Sequence, residues 1–312
     1  MTHPGPFHEG ELKVQARAGE RHTAVLNGRM IQPRVMPQAI PFVARQPWAV
    51  LGGTDGQGRL WCSILMGREG LAEVSVDGAE VGFDLTHAPV HPANPLLTGI
   101  SVGQPLGALF IELVTWRRLR VNGRVAVSDP HQVRLTVEEA FPNCPKYIQR
   151  RAPAAAQGAI QAVSESRSGL VLGTSEQARI TGADTLFLAT MHPDRGVDTS
   201  HRGGQPGFVE VLDERTLRLP DYPGNGLFQS FGNLAVDARL GLVVPDFDCG
   251  DLLHLTGTGE VVWDAPSAGR AEVDSAAATG RSLLIRVNAW ILTPPMNGAA
   301  AWDFMEASPF NP

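Results

Sequence analysis

Two blocks of sequence recur in the two halves of the chain, and this repetition constrains the fold more than any single motif does. SILMGREGL begins at Ser63, and its counterpart SHRGGQPGF begins at Ser200. A longer ungapped pair, LGALFIELVTWRRLRVNG and LGLVVPDFDCGDLLHLTG, begins at Leu106 and at Leu240, so the offset between the copies is nearly the same. A duplication predicts two domains of like topology forming an internal pseudo-dimer. The alternative is chance similarity between strands and glycines of a β-protein.

Short apolar runs separated by Gly- and Pro-containing turns predict a mainly β chain. WAVLGGTDGQGRLWCSILMG is typical of a hairpin, and so is AEVSVDGAEVGF, with Asp77-Gly78 at its tip. Four segments favour short helices: GELKVQARAGE, TVEEAFPNCPKYIQRR, GRAEVDSAAATG and SEQARITGA, the last with Thr174 or Ser175 as N-cap. We therefore expect β-barrels with a few short helices.

The length of 312 residues suits two domains of ordinary size. The segment APAAAQGAIQAVSES is small, polar and weakly patterned, as linkers are. We predict a first domain over residues 1–150 with an N-terminal helical segment, a linker over 151–168, and a second domain over 169–312.

Composition excludes several classes of function. The net charge of −6 argues against a binder of nucleic acid or of anionic membranes, because such proteins need a basic face. Cys62, Cys144 and Cys249 are isolated, so we expect neither a disulfide framework nor a zinc site. Reduced cysteines, the lack of an apolar run long enough to span a membrane and the lack of a secretory signal fit a cytoplasmic protein.

The two copies of the repeat differ in polarity. The first copy has Ile64, Leu65 and Met66 where the second has His201, Arg202 and Gly203. The second copy belongs to DTSHRGGQPGFVEV, which we interpret as a tight bend between two strands. A purely structural bend would keep similar residues in both copies, so the difference indicates that the second copy binds a ligand.

The donors gathered in that segment suit a phosphate. Arg202 offers a fork of N–H groups, Thr199 and Ser200 offer hydroxyls, and Gly203 lets backbone N–H groups approach an anion closely. His201 is the only neighbouring side chain whose ordinary pKa suits proton transfer. The alternative is an ordinary turn with an arginine beside it.

Two further segments add polar side chains. PDYPGNGLFQSFGNL shows little helix or strand pattern and contributes Asn225, Gln229, Ser230 and Asn233 as candidate ligand contacts. The other interpretation is a surface loop with turn-forming residues. FPNCPKYIQRR is basic, and its Lys146 is a candidate contact from the first half; the alternative is a solvated helix end.

These segments resemble the pyridoxamine 5′-phosphate oxidase-like, FMN-binding split-barrel family, and the resemblance extends from about Phe7 to Asp264. It implies two tandem split barrels, with FMN at the interface and its phosphate held by Arg202 and Ser200. Gln229, Ser230 and Lys146 would be further contacts. The paired Arg and Lys of true pyridoxamine phosphate oxidases are not recognisable, so we do not expect a vitamin B6 enzyme.

The function implied is that of an FMN-dependent oxidoreductase acting on a small-molecule redox substrate, with catalytic residues unknown and no metal site. Deazaflavin and haem are the alternative cofactors, with His201 and His254 as candidate haem ligands. A non-catalytic flavin, deazaflavin or haem carrier, or a degenerate barrel that serves as a scaffold, is the rival class. Homodimerisation is left open.

Overall fold

A computed structural model describes residues 5–86, 88–154, 165–264, 279–296 and 301–312. Within these ranges the chain is mainly β, as predicted, and all paired strands are antiparallel. The strands form two large sheets and one short two-stranded sheet.

The first sheet has seven strands, numbered in chain order. They are β1 (Trp48–Thr54), β2 (Leu60–Met66), β3 (Ala72–Val74), β4 (Glu80–Asp84), β5 (Pro105–Glu112), β6 (Arg117–Ser128) and β7 (Gln132–Pro142). Their spatial order is β2-β1-β5-β6-β7-β4-β3. Sequence alternation explains which face is buried: in β7, Val133, Leu135 and Val137 are buried, whereas Thr136 between the last two is exposed.

The second large sheet repeats this arrangement. Its strands are β9 (Arg167–Gly169), β10 (Thr185–His192), β11 (Gly196–Gly203), β12 (Glu210–Val211), β13 (Thr216–Pro220), β14 (Arg239–Pro245), β15 (Leu252–Trp263) and β16 (Arg281–Thr293). Apart from β9, which pairs with β16, the order is β11-β10-β14-β15-β16-β13-β12. Strand for strand, this is the order of the first sheet.

Register follows the sequence repeat as well. Ser63 pairs with Leu51, and its counterpart Ser200 pairs with Leu188. The two residues of the second pair are displaced along the chain from those of the first pair by the same number of positions. The register between β6 and β7 shifts after Asn122, and the register between β15 and β16 shifts after Thr256, the residue aligned with Asn122 in the longer repeat. Positions in one sheet can therefore be matched to positions in the other by their backbone partners.

Within the described residues, five α-helices accompany the sheets. They are α1 (Glu9–Ala18), α2 (Arg21–Gly28), α3 (Ile40–Ala44), α4 (Thr174–Gly182) and α5 (Gln229–Leu234). Helix α1 matches the prediction from GELKVQARAGE. Helix α4 matches SEQARITGA, but its N-cap is Gly173 rather than Thr174 or Ser175. The Glu176 carboxylate accepts a hydrogen bond from the Gly173 N–H, at 3.1 Å, and so supports the first turn without a capping hydroxyl.

Of the two other predicted helices, one differs from the structure and one falls almost wholly outside the described residues. TVEEAFPNCPKYIQRR is not helical: its start continues β7, and its end forms β8 (Arg150–Pro153). Strand β7 continues through Ala140 and Phe141, which are both buried, and ends at Pro142. The segment GRAEVDSAAATG lies almost wholly within residues 265–278, outside the described residues.

The predicted linker, 151–168, is only partly within the described residues. Its first residues belong to β8, which pairs with β17 (Trp302–Glu306), and its last residues belong to β9. Residues 155–164 lie outside the described residues. The division of the chain into two domains stays a prediction.

The two halves share a buried apolar layer, in which Val50 and Leu109 of the first half pack with Phe187 and Val243 of the second. Close approach depends on glycine: a Cβ at Gly107 would lie 2.7 Å from the Val197 carbonyl oxygen. The register-equivalent Gly241 would meet the Trp61 backbone at 2.5 Å. No helix among the described residues is long and apolar enough to cross a membrane.

Candidate functional site

A cleft lies between the two halves and receives side chains from both. Strand β6 and the chain after β7 form one wall, and β11, α5 and the chain before α5 form most of the rest, with contributions from β13, from the start of β16 and from Glu20. The cleft encloses about 850 Å³, including its open mouth. Four guanidinium groups line it, those of Arg118, Arg120, Arg202 and Arg281.

Strand geometry brings the two arginines of β6 together. Arg118 and Arg120 are two residues apart, so their side chains leave the same face of the strand. Arg118 donates from Nε to the Cys144 carbonyl oxygen at 2.9 Å. Arg120 donates from Nη1 to Asp198 at 2.9 Å and to the Gln229 carboxamide oxygen at 3.1 Å. Arg120 thus links the first half to β11 and to α5.

Arg202 projects from β11 and is held over the start of α5. Its Nη2 donates to the Ser230 hydroxyl at 3.0 Å, and its Nη1 donates to the His201 carbonyl oxygen at 3.0 Å. The Ser230 and Ser200 hydroxyls lie 3.1 Å apart, so Ser200 supports the first turn of α5. These contacts fix the position of the guanidinium before any ligand binds.

The hydrogen bonds of His201 define its tautomer. Arg118 Nη1 lies 3.1 Å from His201 Nδ1, and a guanidinium only donates, so Nδ1 accepts and carries no proton. The neutral imidazole therefore carries its proton on Nε2. Burial, and then the charges of Arg118 and Arg202, hold the pKa of His201 well below its ordinary value. The structure does not support a His201 pKa suited to proton transfer, because burial and then the arginines around it favour the neutral imidazole.

Positive charge in the cleft is only partly compensated. Arg281 contacts Asp221 and Glu20, and Arg120 contacts Asp198. Among the described residues, no carboxylate forms an ion pair with the guanidinium of Arg118 or Arg202. Burial and then the nearby Arg120 lower the pKa of Arg202 to about 10, and burial likewise lowers that of Arg118. Such a site favours an anion.

Several buried polar atoms of the cleft lack a partner within the described protein. They are Nε2 of His201, Nε2 of Gln229, Nε of Arg120, and both carboxamide atoms of Asn143. Burying an unpaired donor costs about 1–3 kcal/mol. Four residues with such atoms along one cleft indicate a polar ligand or ordered water that would satisfy them.

Backbone conformation at the cleft is also unusual. Tyr147 and Phe228 line it with φ values of 68° and 60°, in the left-handed region that side chains rarely adopt. At Gly203 a Cβ would lie 2.0 Å from the Tyr147 carbonyl oxygen, so only glycine fits there. Strain of this kind is concentrated at functional sites.

Six of the ten predicted site residues line the cleft: His201, Arg202, Gly203, Asn225, Gln229 and Ser230. Ser200 lies directly behind Ser230. The other three lie elsewhere. Thr199 donates to the Gly107 carbonyl oxygen in the interface between the halves. Asn233 lies between Thr190 and His8, and Lys146 contacts the Pro223 carbonyl oxygen at 3.4 Å.

Two expectations about local structure near the site need correction. The segment from Asp198 to Gly203 is the interior of β11 rather than a bend, and the turn begins at Gly204. The polar side chains of this segment therefore reach the cleft because side chains alternate along a strand, and the backbone there does not form an anion nest. The supposed loop PDYPGNGLFQSFGNL contains α5, whose residues Gln229–Leu234 are all buried.

The sequence argument missed the arginines of the first half. Arg118 and Arg120 in TWRRLRVNG are spaced for one face of a strand, which was the available signal. Arg281 and Tyr147 were not selected either, since each joins the cleft only through tertiary contacts. Tyr147 donates from its hydroxyl to the Pro223 carbonyl oxygen at 2.9 Å.

His254 was the other candidate haem ligand, and a separate group of histidines lies beside Glu9. His254 is fully buried, with Nδ1 3.1 Å from the Cys62 carbonyl oxygen and Nε2 3.0 Å from the Thr293 hydroxyl. Both of its ring nitrogens are thus occupied. His8, Glu9 and His192 place ligand atoms within 4.8 Å of one another. Backbone N–H groups donate to Nδ1 of both histidines, so each Nε2 carries a proton and faces an acceptor.

No protein-family model matches the chain, and no curated protein matches it. Several solved structures align with parts of it, and three of them illustrate the range. A proposed pyridoxamine 5′-phosphate oxidase of Lactobacillus delbrueckii aligns at 17% identity and a TM-score of 0.30, over 38% of this chain and 93% of that one. An F420 reductase aligns at 15% identity and a TM-score of 0.24, over 38% of this chain and 93% of that one. The heme storage protein HutZ of Vibrio cholerae aligns at 11% identity and a TM-score of 0.25, over 45% of this chain and 99% of that one.

Proposed function

We propose that the cleft binds FMN and that the chain is an FMN-dependent oxidoreductase acting on a small-molecule substrate. The observation that carries this proposal is the pair of guanidinium groups, Arg118 and Arg202, that face the cleft without a carboxylate partner among the described residues. A phosphate ester supplies the missing negative charge and acceptor oxygens.

The residues present fit such a ligand. Arg202 and Arg118 would hold the phosphate, with the Ser230 hydroxyl beside them. Gln229 Nε2 and His201 Nε2 are donors without partners, and they suit the carbonyl oxygens and ring nitrogens of a flavin. Tyr147, Tyr222 and Phe228 supply aromatic surface in the same cleft.

The architecture we propose is a tandem pair of split barrels that resembles the pyridoxamine 5′-phosphate oxidase-like superfamily. Identical strand order and matched register in the two sheets support a duplication. The cleft receives Arg118 and Arg120 from one half and Arg202 from the other, as expected of a site at an internal pseudo-dimer interface.

A bound flavin supplies hydride transfer, and the protein supplies binding, orientation and electrostatics. Cationic side chains around the cleft favour negative charge on a ligand. His201 can donate a hydrogen bond from Nε2 but is a poor base, because its Nδ1 already accepts from Arg118 and burial holds its pKa well below the ordinary value. The proposal therefore assigns no general base among these residues.

A non-catalytic flavin or deazaflavin carrier is the second candidate, and the neutrality of His201 favours it. Direct haem coordination by His201 is disfavoured. Its Nδ1 faces the donor Arg118, whereas a histidine bound to iron through Nε2 would carry a proton on Nδ1.

The visible spectrum of the purified full chain and a fluorescence titration of apo-protein with FMN test the proposal. We expect flavin absorption or saturable FMN binding, weakened at least tenfold by Arg118→Ala. Arg117 is the matched control, since it lies next to Arg118 but points away and pairs with Glu112. Arg117→Ala should change FMN affinity less than threefold. A folded protein that binds no FMN contradicts the proposal, and a tight holoprotein without NAD(P)H-driven turnover favours the carrier.

A further inference from the structure

A second cleft occupies the equivalent position on the opposite side of the interface between the halves. It is lined by β2, the start of β15, the chain after β16 and the chain before β5. It encloses about 1240 Å³, including its open mouth. None of the described residues that line it is Arg, Lys, Asp or Glu.

Backbone register relates the two clefts residue by residue. Arg118 pairs with Ile111 in the first sheet, and the residues aligned with them in the longer repeat, Leu252 and Pro245, pair in the second. Leu252 therefore stands where Arg118 stands in the first cleft. In the same way Ile64 replaces His201, and Leu65 replaces Arg202. At these three positions, an aliphatic side chain in the second cleft replaces the cationic or imidazole side chain of the first.

Polar atoms give the same contrast. Four residues of the first cleft hold buried polar atoms without partners, and no described residue of the second cleft does. Asn94 donates to the Ser63 hydroxyl at 2.7 Å and accepts from the backbone N–H groups of Leu96 and Leu97. The Thr293 hydroxyl is bound to His254. These side chains are satisfied within the protein, so a ligand need supply no hydrogen bond to them.

We propose that this second cleft binds an uncharged, apolar small molecule. Its walls are mainly aliphatic side chains, prolines and Trp302, and His91 is the one titratable side chain of the described lining. Concave sites of several hundred Å³ with mainly apolar walls are typical of small-molecule binding, whereas protein partners dock on flatter surfaces. The proposal is independent of FMN binding in the first cleft.

The neutral fluorophore N-phenyl-1-naphthylamine tests this on the full chain. We expect saturable binding, weakened at least tenfold by Leu252→Arg, which places a cation in the apolar cleft, and by Leu97→Trp, which fills it. Leu97 and Leu252 are only half-buried, so both variants should fold, with melting temperature as the check. Val76→Arg, at a side chain that is 98% exposed, and Arg118→Ala should each change probe affinity less than twofold.

Three results overturn the proposal. One is the absence of saturable binding in a folded monomer. Another is equal probe affinity in wild type and in both cleft variants, which places the probe elsewhere. The last is a dimer that binds no probe and that Leu252→Arg dissociates, which shows that a second copy covers the cleft.

Discussion

Arg202 is bound to the protein by only two of its five N–H groups among the described contacts, those to His201 and Ser230. The remaining donors and the full charge are available to a ligand. By contrast, Arg68 is exposed at the repeat position of Gln205, outside the cleft. Substituting each of these two arginines therefore distinguishes the effect of a side chain in the cleft from the effect of removing a positive charge elsewhere.

Arg202→Ala should weaken FMN binding roughly tenfold to a hundredfold, since a charge-assisted hydrogen bond contributes about 1.5–3 kcal/mol. Arg68→Ala should change affinity less than about threefold. Arg202→Lys should fall between wild type and Ala, because it keeps the charge but loses the planar fork. FMN fluorescence titration measures the effect, with melting temperature as the folding control. Equal affinity in wild type and folded Arg202→Ala would show that Arg202 does not contact the phosphate.

Glu11 of α1 is a second residue with an unusual environment. Burial, with the nearby Glu139 and Asp198, raises the pKa of its carboxyl to about 8, although the His8 backbone N–H and Arg195 oppose the shift. The folded state thus holds this proton more tightly than the unfolded state. The resulting stability is complete below the unfolded pKa, near 4.5, and is lost as pH rises through 8.

Glu11→Gln should remove that loss. From pH 6.5 to 8.5 the stability of wild type relative to the variant should fall by about 1–2 kcal/mol. His8 does not interfere, because its pKa, lowered to about 4 by burial, leaves it neutral throughout this range. Urea unfolding at the two pH values measures the difference. If wild type and Glu11→Gln differ in unfolding free energy by the same amount at both pH values, the pKa of Glu11 is not raised.

At the scale of elements, α1 and α5 pack so closely that glycines are required on both. A Cβ at Gly10 would lie 2.1 Å from the Gly232 carbonyl oxygen, and a Cβ at Gly232 would lie 2.6 Å from the Glu11 backbone nitrogen. Helix α5 carries Gln229 and Ser230 into the cleft. The N-terminal helix therefore helps to position part of the candidate site.

Gly232→Ala should destabilise the protein by about 1–3 kcal/mol and also weaken FMN binding, because the helices must move apart. The matched control is Gly182→Ala at the end of α4, where a new Cβ meets nothing within 4 Å. Urea unfolding and FMN titration of both variants provide the comparison. Unchanged stability in Gly232→Ala would show that the helices separate without cost.

Sequence patterns predicted the strands well and the site's local structure poorly. Alternating apolar residues identified most strands, because half-buried strands need that period. The glycines and proline after Arg202 suggested a bend, and the chain does turn at residues 205–207, but the polar residues before the turn belong to β11. Helix α5 carried no local signal, because its stability comes from burial against α1 rather than from its own short sequence.

Across the whole molecule, the two halves bury a common apolar layer in addition to the core within each half. Gly107 and Gly241 occupy equivalent positions, and each admits the backbone of the opposite half. The first-half arginines could be suspected from their spacing in the sequence. Their position close to Arg202 could not be predicted from the sequence, because it depends on how the two halves pack.

The shared layer predicts that the chain unfolds in one cooperative transition. Gly241→Val should destabilise it by at least about 2 kcal/mol, because no side chain fits against Trp61. Gly56→Ala, where a Cβ meets nothing within 4 Å, should have little effect. Differential scanning calorimetry measures both. Two separate transitions in wild type would show that the halves are independent.

The central claim is that the arginine-lined cleft binds a flavin through its phosphate. Parallel titrations of the apo-protein with FMN and with riboflavin test it most directly, because the two ligands share the ring and differ in the phosphate. With Arg118 and Arg202 both contributing, FMN should bind at least about a hundredfold more tightly than riboflavin. Equal affinities for the two ligands, or no binding of FMN to the folded protein, would contradict the account.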